Sequence, residues 1–236
     1  VIENINNIDP IYYKKILELK FKGLEILSAM NWSERVLECF PSKLIKDKYL
    51  ILDGFSFPKG SLELRIKRLG DFLLALFLIF STFPLVIISS IFIYLEDRGP
   101  IFYSQIRTGY GGKLFRIYKL RSMRVNAEDK GVQWSQKGDK RITFIGNFLR
   151  KLRIDELPQL WCVLTGKMSL IGPRPERPEF DKDLEKKIPY YNYRYFIRPG
   201  LSGWAQVNYP YGARIEDAKN KLSYDFFYIR NFSFLL

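Results

Sequence analysis

Between Arg153 and Arg177 the chain reads RIDELPQLWCVLTGKMSLIGPRPER, setting the adjacent carboxylates Asp155 and Glu156 near a turn that carries Arg174 and Arg177 among Pro173, Pro175 and Pro178. These residue types suit phosphate chemistry, because a planar guanidinium bonds phosphate through two parallel N–H groups and proline limits how far its neighbours wander. Leu157 precedes Pro158, so the spacing predicts a short helix that starts there and stops at Gly166. Asp155 and Glu156 then stand just ahead of a helix N-terminus, where free N–H groups favour a bound anion. Two bare carboxylates repel a phosphate, and a divalent cation resolves the conflict. Magnesium takes oxygen ligands, ordinarily one or two carboxylates plus substrate phosphate, and leaves a carboxylate free for nucleophilic or base work. The plain alternative for the pair is a helix-capping acid beside a solvated neighbour.

The elements that must hold these groups follow from periodicity. Phe72–Leu95 contains no charge, and as a straight helix it reaches about 36 Å against a bilayer core of about 30 Å. Pro84 falls in its middle, removes an N–H and kinks the helix, so each half reaches one leaflet. Arg65, Lys67 and Arg68 precede the run while Arg98, Arg107 and Lys113 follow it, and basic flanks favour the cytoplasm at both ends. Residue physics therefore favours a re-entrant helical hairpin, although kinked spanning helices are common too. Ser81 and Thr82 are placed to give hydroxyls to the carbonyls freed at the kink.

Ile101–Ile106 and Leu114–Leu120 read as a β-hairpin whose loop carries Gly109, Gly111 and Gly112. No βαβ unit surrounds those glycines, which makes them turn residues and not a nucleotide fingerprint. Lys119 and Arg121 alternate along the second strand and share a face with Ile117. From Thr143 to Ile154 the residues Phe144, Ile145, Phe148, Leu149 and Leu152 fall on one helical face, with Arg150, Lys151 and Arg153 crowding the end. Such a helix can lie in a headgroup layer or pack in a core. Residues 1–60 read as broken pieces, helical over Tyr13–Ser28 and extended over Tyr49–Leu52, ending in a linker around Asp53-Gly54 and Phe57-Pro58-Lys59-Gly60. The expected division is the tail of an upstream soluble domain over 1–60, a membrane hairpin over 61–98 and a phosphate-handling region over 99–236. The fold class is α+β, mainly helical, with a small β-hairpin and interfacial amphipathic helices around a carboxylate and arginine site.

No histidine occurs in the 236 residues, which removes Ser-His and Cys-His nucleophile pairs, imidazole bases and His-ligated zinc. Chemistry falls to carboxylates, Lys, Arg, Tyr or metal. Cys39 and Cys162 match no metal or redox spacing and read as thiols of a reducing compartment. Residues 107–153 hold thirteen Lys/Arg against Glu128, Asp129 and Asp139, so this fifth of the chain carries net +10 of a formal +13. Laced with Phe115, Ile117, Tyr118 and Leu120, that surface suits anionic lipid or a phosphate-rich substrate. The apolar run argues against nucleic acid. The chain opens on Val1 and closes in the apolar run Phe232–Leu236, so it reads as a fragment trimmed at both ends, with no secretory signal visible.

An ordered series of motifs over residues 65 to 236 resembles the monotopic phosphoglycosyl transferases, bacterial sugar transferases that prime polysaccharide and glycoconjugate assembly. It comprises Lys67-Arg68 with Asp71, the apolar run broken at Pro84, Gly99-Pro100-Ile101-Phe102 with Gln105 and Arg107, and Tyr118-Lys119-Leu120-Arg121-Ser122-Met123. Asp155-Glu156-Leu157-Pro158-Gln159-Leu160, Gly172-Pro173-Arg174-Pro175, Arg198-Pro199-Gly200 and Gly203-Trp204-Ala205-Gln206-Val207 complete it. The resemblance implies magnesium-dependent transfer of a sugar-1-phosphate from a nucleoside diphosphate sugar, usually uridine-linked, to undecaprenyl phosphate. It implies a re-entrant membrane helix and a location on the cytoplasmic face of the bacterial inner membrane. Asp155 resembles the family's nucleophile, which forms an aspartyl-phosphosugar, and Glu156 its partner carboxylate engaged with magnesium. Arg174 and Arg177 are the first choices for phosphate clamps, followed by Arg198, Lys119 and Arg121. Arg107, Glu179, Gln206 and Asp225 form a second tier. Where the family often shows serine before the membrane proline, Phe83 stands here. The oligomeric state stays open, a homo-oligomer being allowed. The alternative from another class is a non-catalytic membrane-surface scaffold of a polysaccharide assembly complex.

Overall fold

The computed structural model describes residues 1, 8–41, 44–45, 50, 62–129, 131, 138–210, 212 and 214–232. The strand expected over Tyr49–Leu52, apart from Leu50, the linker over 53–60 and the terminal apolar run, apart from Phe232, lie outside the described residues. Helix α1 (Pro10–Phe21) starts where the Asp9 carboxylate accepts from Ile11 N with Pro10 at the first helical position, the usual N-terminal chemistry. It stops well short of the expected Ser28, because Gly23 turns the chain at φ +92°. Ser28 instead caps a second short helix, α2 (Ala29–Trp32), accepting from Asn31 N at 3.1 Å.

Helix α3 (Leu62–Asp97) takes up the whole apolar run and its flanks in 36 residues, a length of about 54 Å. Where the expectation is a hairpin of two arms, the helix is continuous through Pro84. The Ser81 and Thr82 hydroxyls both donate to Leu78 O, at 3.1 and 2.7 Å, and neither serves the Phe80 carbonyl that Pro84 deprives of its donor. Burial runs down one stripe of α3 from Asp71 and Ala75 to Ser89 and Ile93, the three-to-four spacing of a single helix face. The other faces expose Phe77, Phe80, Phe83 and Leu85.

Both ends of α3 are tied to the rest of the chain. Arg68 donates to the carbonyls of Val163 and Leu164 at 2.5 and 2.7 Å, and Asp71 accepts from Ser169 Oγ at 2.7 Å and Leu170 N at 3.2 Å. At the far end Glu96 accepts from Phe144 N at 2.8 Å, while Asp97 pairs with Arg121.

Strands β1 (Phe102–Thr108) and β2 (Leu114–Leu120) pair antiparallel from Phe102↔Leu120 to Thr108↔Leu114. Gly111 and Gly112 supply the positive φ that their turn requires. Helix α4 (Phe144–Lys151) is capped by Thr143 Oγ1, which accepts from Gly146 N. Its apolar residues divide: Leu149 and Ile145 pack on α3 while Phe144, Phe148 and Leu152 face outward. After a 3₁₀ turn over Ile154–Gln159 comes α5 (Leu160–Leu164), ended by Gly166 at φ +77°. A short parallel pair, β3 (Ser169–Ile171) and β4 (Gly200–Ser202), brackets α6 (Pro178–Lys187) and a 3₁₀ turn over Tyr191–Phe196. Helices α7 (Trp204–Asn208) and α8 (Ile215–Arg230) close the fold.

Two apolar clusters lie under α3, one around Ala75, Ile117, Leu160 and Met168, the other around Ile93, Leu120, Leu149 and Ile154. A third, larger cluster gathers Leu184, Tyr191, Leu222, Phe226 and Ile229 with Met30, Phe40 and Ile45 from ahead of α3. Gly146 marks where α4 crosses the end of β2: a Cβ there would sit 2.1 Å from Ser122 O and 2.7 Å from its Cα. Glycine to alanine in a helix normally gains up to about 1 kcal/mol. Because only backbone could give way here, Gly146→Ala is expected to destabilise by about 1–3 kcal/mol, read as a lower thermal midpoint in detergent.

Candidate active site

Asp155 and Glu156 do not precede a helix N-terminus, as the Leu157-Pro158 step suggested; both lie inside the 3₁₀ turn, and Glu156 N already donates to Arg153 O at 3.2 Å. The turn begins at Arg153, a non-glycine residue held at φ 60°, a conformation that costs energy and that surrounding structure must sustain. β2 packs against the turn, and both carboxylates are buried.

Glu156 is clamped by cations from two other elements. Lys119 Nζ of β2 lies 2.7 Å from its Oε1, Arg174 Nη2 also lies 2.7 Å from Oε1, and Arg153 Nη1 lies 3.6 Å from Oε2. Burial alone would push the Glu156 carboxyl up, yet the Arg174 and Lys119 charges hold it far below the usual carboxylate range. Burial likewise pushes the Lys119 ammonium down to about 8, the Arg174 charge adding to the fall and Glu156 opposing it.

Asp155 differs from its neighbour. Burial pushes its carboxyl up against the opposing Lys119, Arg150 and Arg153 charges, and its buried Oδ1 has no hydrogen-bond partner among the described residues. One carboxylate is locked in ion pairs and the other is buried with its Oδ1 unpaired among the described residues, so their environments differ. Both line a cavity of about 750 Å³ bounded by the β1–β2 hairpin, α4, the Arg174 turn and α7–α8.

Of the remaining expected residues, some line this cavity and some do not. Arg174 Nη1 also donates to Gln206 Oε1 at 2.9 Å, bringing Gln206 to the clamp. Arg107 lines the cavity but is held by Gln105 Oε1 at 2.5 Å and Pro175 O at 3.1 Å. Arg177 sits on the wall, bonded to Glu128 Oε1 at 2.8 Å, with Glu179 3.6 Å from its Nε. Asp225, almost fully buried, lines the cavity 3.0 Å from Arg194 Nη2, which also donates to Arg174 O at 2.7 Å; this pair fastens the Arg174 turn.

Two of the expected residues stand apart from the carboxylate pair. Arg198 stands outside the cavity, where its Nε donates to Gly166 O at 3.0 Å beyond the end of α5. Arg121 is at the cavity edge, but its guanidinium is committed to Asp97 at the end of α3. Sequence reading missed Arg194 as a support of the site and Glu128 as the Arg177 partner. Neither carries a local signal, since each acts over 20 to 49 residues.

Helix α3 is long and apolar enough to cross a membrane, exposes apolar side chains on most of its surface, and packs along a domain whose cavity holds paired carboxylates and basic side chains. The chain belongs to the bacterial sugar transferase family, whose model matches residues 62–236. It is 50% identical over 171 residues to a UDP-N-acetylgalactosamine-undecaprenyl-phosphate N-acetylgalactosaminephosphotransferase of Aeromonas hydrophila, covering 72% of this chain and 40% of that protein. It is 51% identical over 136 residues to a putative undecaprenyl-phosphate N-acetylgalactosaminyl 1-phosphate transferase of Bacillus subtilis (strain 168), covering 58% of this chain and 76% of that one. A UDP-glucose:undecaprenyl-phosphate glucose-1-phosphate transferase of Xanthomonas campestris pv. campestris is 40% identical over 174 residues, covering 72% and 36%. The chain therefore spans well under half of the Aeromonas and Xanthomonas relatives.

Proposed function

We propose that this chain is the transferase portion of an enzyme that moves a sugar-1-phosphate from a uridine diphosphate sugar to undecaprenyl phosphate at the cytoplasmic face of the bacterial inner membrane. The observation that carries the reading is the buried Oδ1 of Asp155, without a hydrogen-bond partner among the described residues, beside a glutamate clamped by Lys119 and Arg174. The names of the Aeromonas and Xanthomonas relatives support the donor and acceptor classes.

In the first step an Asp155 carboxylate oxygen attacks the phosphorus next to the sugar. The bond from that phosphorus to the bridging oxygen breaks, nucleoside monophosphate leaves with the electron pair, and the sugar phosphate remains on Asp155 as an acyl phosphate. In the second step an oxygen of the acceptor phosphate attacks the same phosphorus and frees the Asp155 carboxylate. Covalent catalysis thus divides one transfer into two. Lys119 and Arg174 flank the region where charge on the phosphoryl oxygens must be held, and a unit charge at 4 Å is worth about 4 kcal/mol at an effective dielectric near 20.

Asp155 fits magnesium through its Oδ1, which has no hydrogen-bond partner among the described residues, and Glu156 through oxygens that Lys119 and Arg174 hold in this structure. No group of three or more His, Cys, Asp or Glu stands ready for a metal among the described residues, so phosphate oxygens and water complete such a site. Bound there, magnesium would supply charge neutralisation to the diphosphate. Arg150 and Arg153 face Asp155 from the α4 side, whose outer surface exposes Phe144, Phe148 and Leu152; this supports approach of the lipid phosphate from the membrane side.

The test is uridine monophosphate release by membrane-inserted protein over a panel of uridine diphosphate sugars. Release is expected to need undecaprenyl phosphate for turnover and magnesium throughout, and to stop in EDTA. Metal-independent release, or none over a broad panel, would overturn the reading.

Burial of one α3 stripe and the ties at both its ends support insertion from one leaflet. Cysteines introduced at Arg65 and Arg98 are expected to react with an impermeant maleimide from the cytoplasmic side alone. Labelling of either from the opposite side would establish a span.

A further inference from the structure

We infer that the strap from Ser28 to Pro41, with Ile45 beyond it, which lies ahead of the family-matched segment, is part of the transferase domain and holds the Glu156 clamp in place through Trp204 and Gln206. The strap is built into the fold at several points. Met30, Phe40 and Ile45 are buried in the same cluster as α6 and α8. Phe40 N donates to Ser223 O at 2.9 Å, and Glu34 Oε1 accepts from Asn231 Nδ2 at 3.1 Å and lies 3.3 Å from Arg230 Nε. At Glu38 the backbone turns left-handed, at φ 50°, and its carbonyl accepts from the Trp204 indole N–H at 3.0 Å.

Trp204 is the first residue of α7, a helix of five residues with no side-chain cap. So short a helix has little stability of its own, and its position is set by what its ends touch. Gly203 lies against β3, where an added Cβ would come 2.2 Å from Gly172 O. The Trp204 ring stacks on Phe227 with centroids 5.6 Å apart, and Phe227 in turn meets Phe40 of the strap at 6.2 Å. Two residues into α7, Gln206 Oε1 accepts from Arg174 Nη1 at 2.9 Å, and Arg174 Nη2 holds Glu156 Oε1 at 2.7 Å. The route from strap to carboxylate is therefore Glu38 carbonyl, Trp204, α7, Gln206 and Arg174. Trp204 is a positioning residue. Movement of the strap by whatever precedes it would loosen Gln206 and with it the clamp.

The test uses the full chain in detergent with Trp204→Phe, which keeps an aromatic ring against Phe227, smaller than the indole, and removes the N–H. Phe40→Leu is a second, independent way to loosen the strap. Hydrogen exchange is expected to quicken at the amides of residues 205–209 in both variants and to stay unchanged in the β1–β2 hairpin. In turnover, Trp204→Phe is expected to lower kcat/KM by about tenfold, the scale of a hydrogen bond that fixes a charged group. In a Gln206→Ala background the same change is expected to cost less than about twofold, because its route is already cut. Unaltered exchange in α7, or losses that multiply in the double variant, would overturn the inference. The exchange arm needs no substrate, so it decides the inference even if the proposed reaction fails; the kinetic arm rests on that reaction.

Discussion

Asp155→Asn is expected to cut uridine monophosphate release by about 10⁴-fold or more, the scale of losing an activated nucleophile. The amide keeps the shape of a buried side chain whose Oδ1 has no hydrogen-bond partner among the described residues, so the fold should be unaffected and thermal midpoints should match. The sharper measurement omits the acceptor lipid. If the sugar phosphate is parked on Asp155, native protein exchanges labelled uridine monophosphate into the uridine diphosphate sugar without undecaprenyl phosphate, and Asp155→Asn does not. Exchange surviving in the variant, or release above about 1% of native, would replace the covalent route with direct attack by the lipid phosphate.

The second large effect is expected at Glu156, where rate and stability should separate. Glu156→Gln leaves Lys119 and Arg174, each 2.7 Å from the lost charge, facing one another without an anion. Breaking a buried pair from one side costs about 3–5 kcal/mol. The lower end applies here, since the Arg174 side chain is 33% exposed and the Arg153 side chain 66%. Turnover is expected to fall by about 10³-fold, as for other losses of preorganised charge at a transferring group. Glu156→Asp restores the negative charge one methylene short. Its thermal midpoint is expected to recover most of the loss while turnover stays low, because geometry and not charge alone is missing. If Glu156→Asp were as unstable as Glu156→Gln, the clamp would be a packing feature and not an electrostatic one.

What the amino-acid sequence determined by itself is whatever rests on neighbouring residues. The second hairpin strand, Leu114–Leu120, comes out at its expected bounds, since an extended run opening just after a glycine-bearing loop leaves little freedom. The absence of histidine confined chemistry to carboxylates and basic side chains, and the ordered motifs marked Asp155, Glu156 and Arg174, which the fold brings together. The long apolar helix was equally plain, but its continuity was not. Pro84 signals a kink, and whether the chain breaks there depends on what lies alongside, here a packed stripe running from Asp71 to Ile93.

Tertiary structure alone decided which cation meets which partner. Arg174 and Arg198 looked alike, each beside a proline; one reaches Glu156 and the other ends at Gly166 O. Lys119 and Arg121 lie two residues apart, yet the first faces the 3₁₀ turn and the second the end of α3. Nothing local in residues 28–45 signals that Met30, Phe40 and Ile45 pack into the same core as α8. Such choices turn on contacts between segments dozens to nearly two hundred residues apart. Local propensity carries no record of them, because a guanidinium or an apolar ring bonds whatever the folded chain brings within reach.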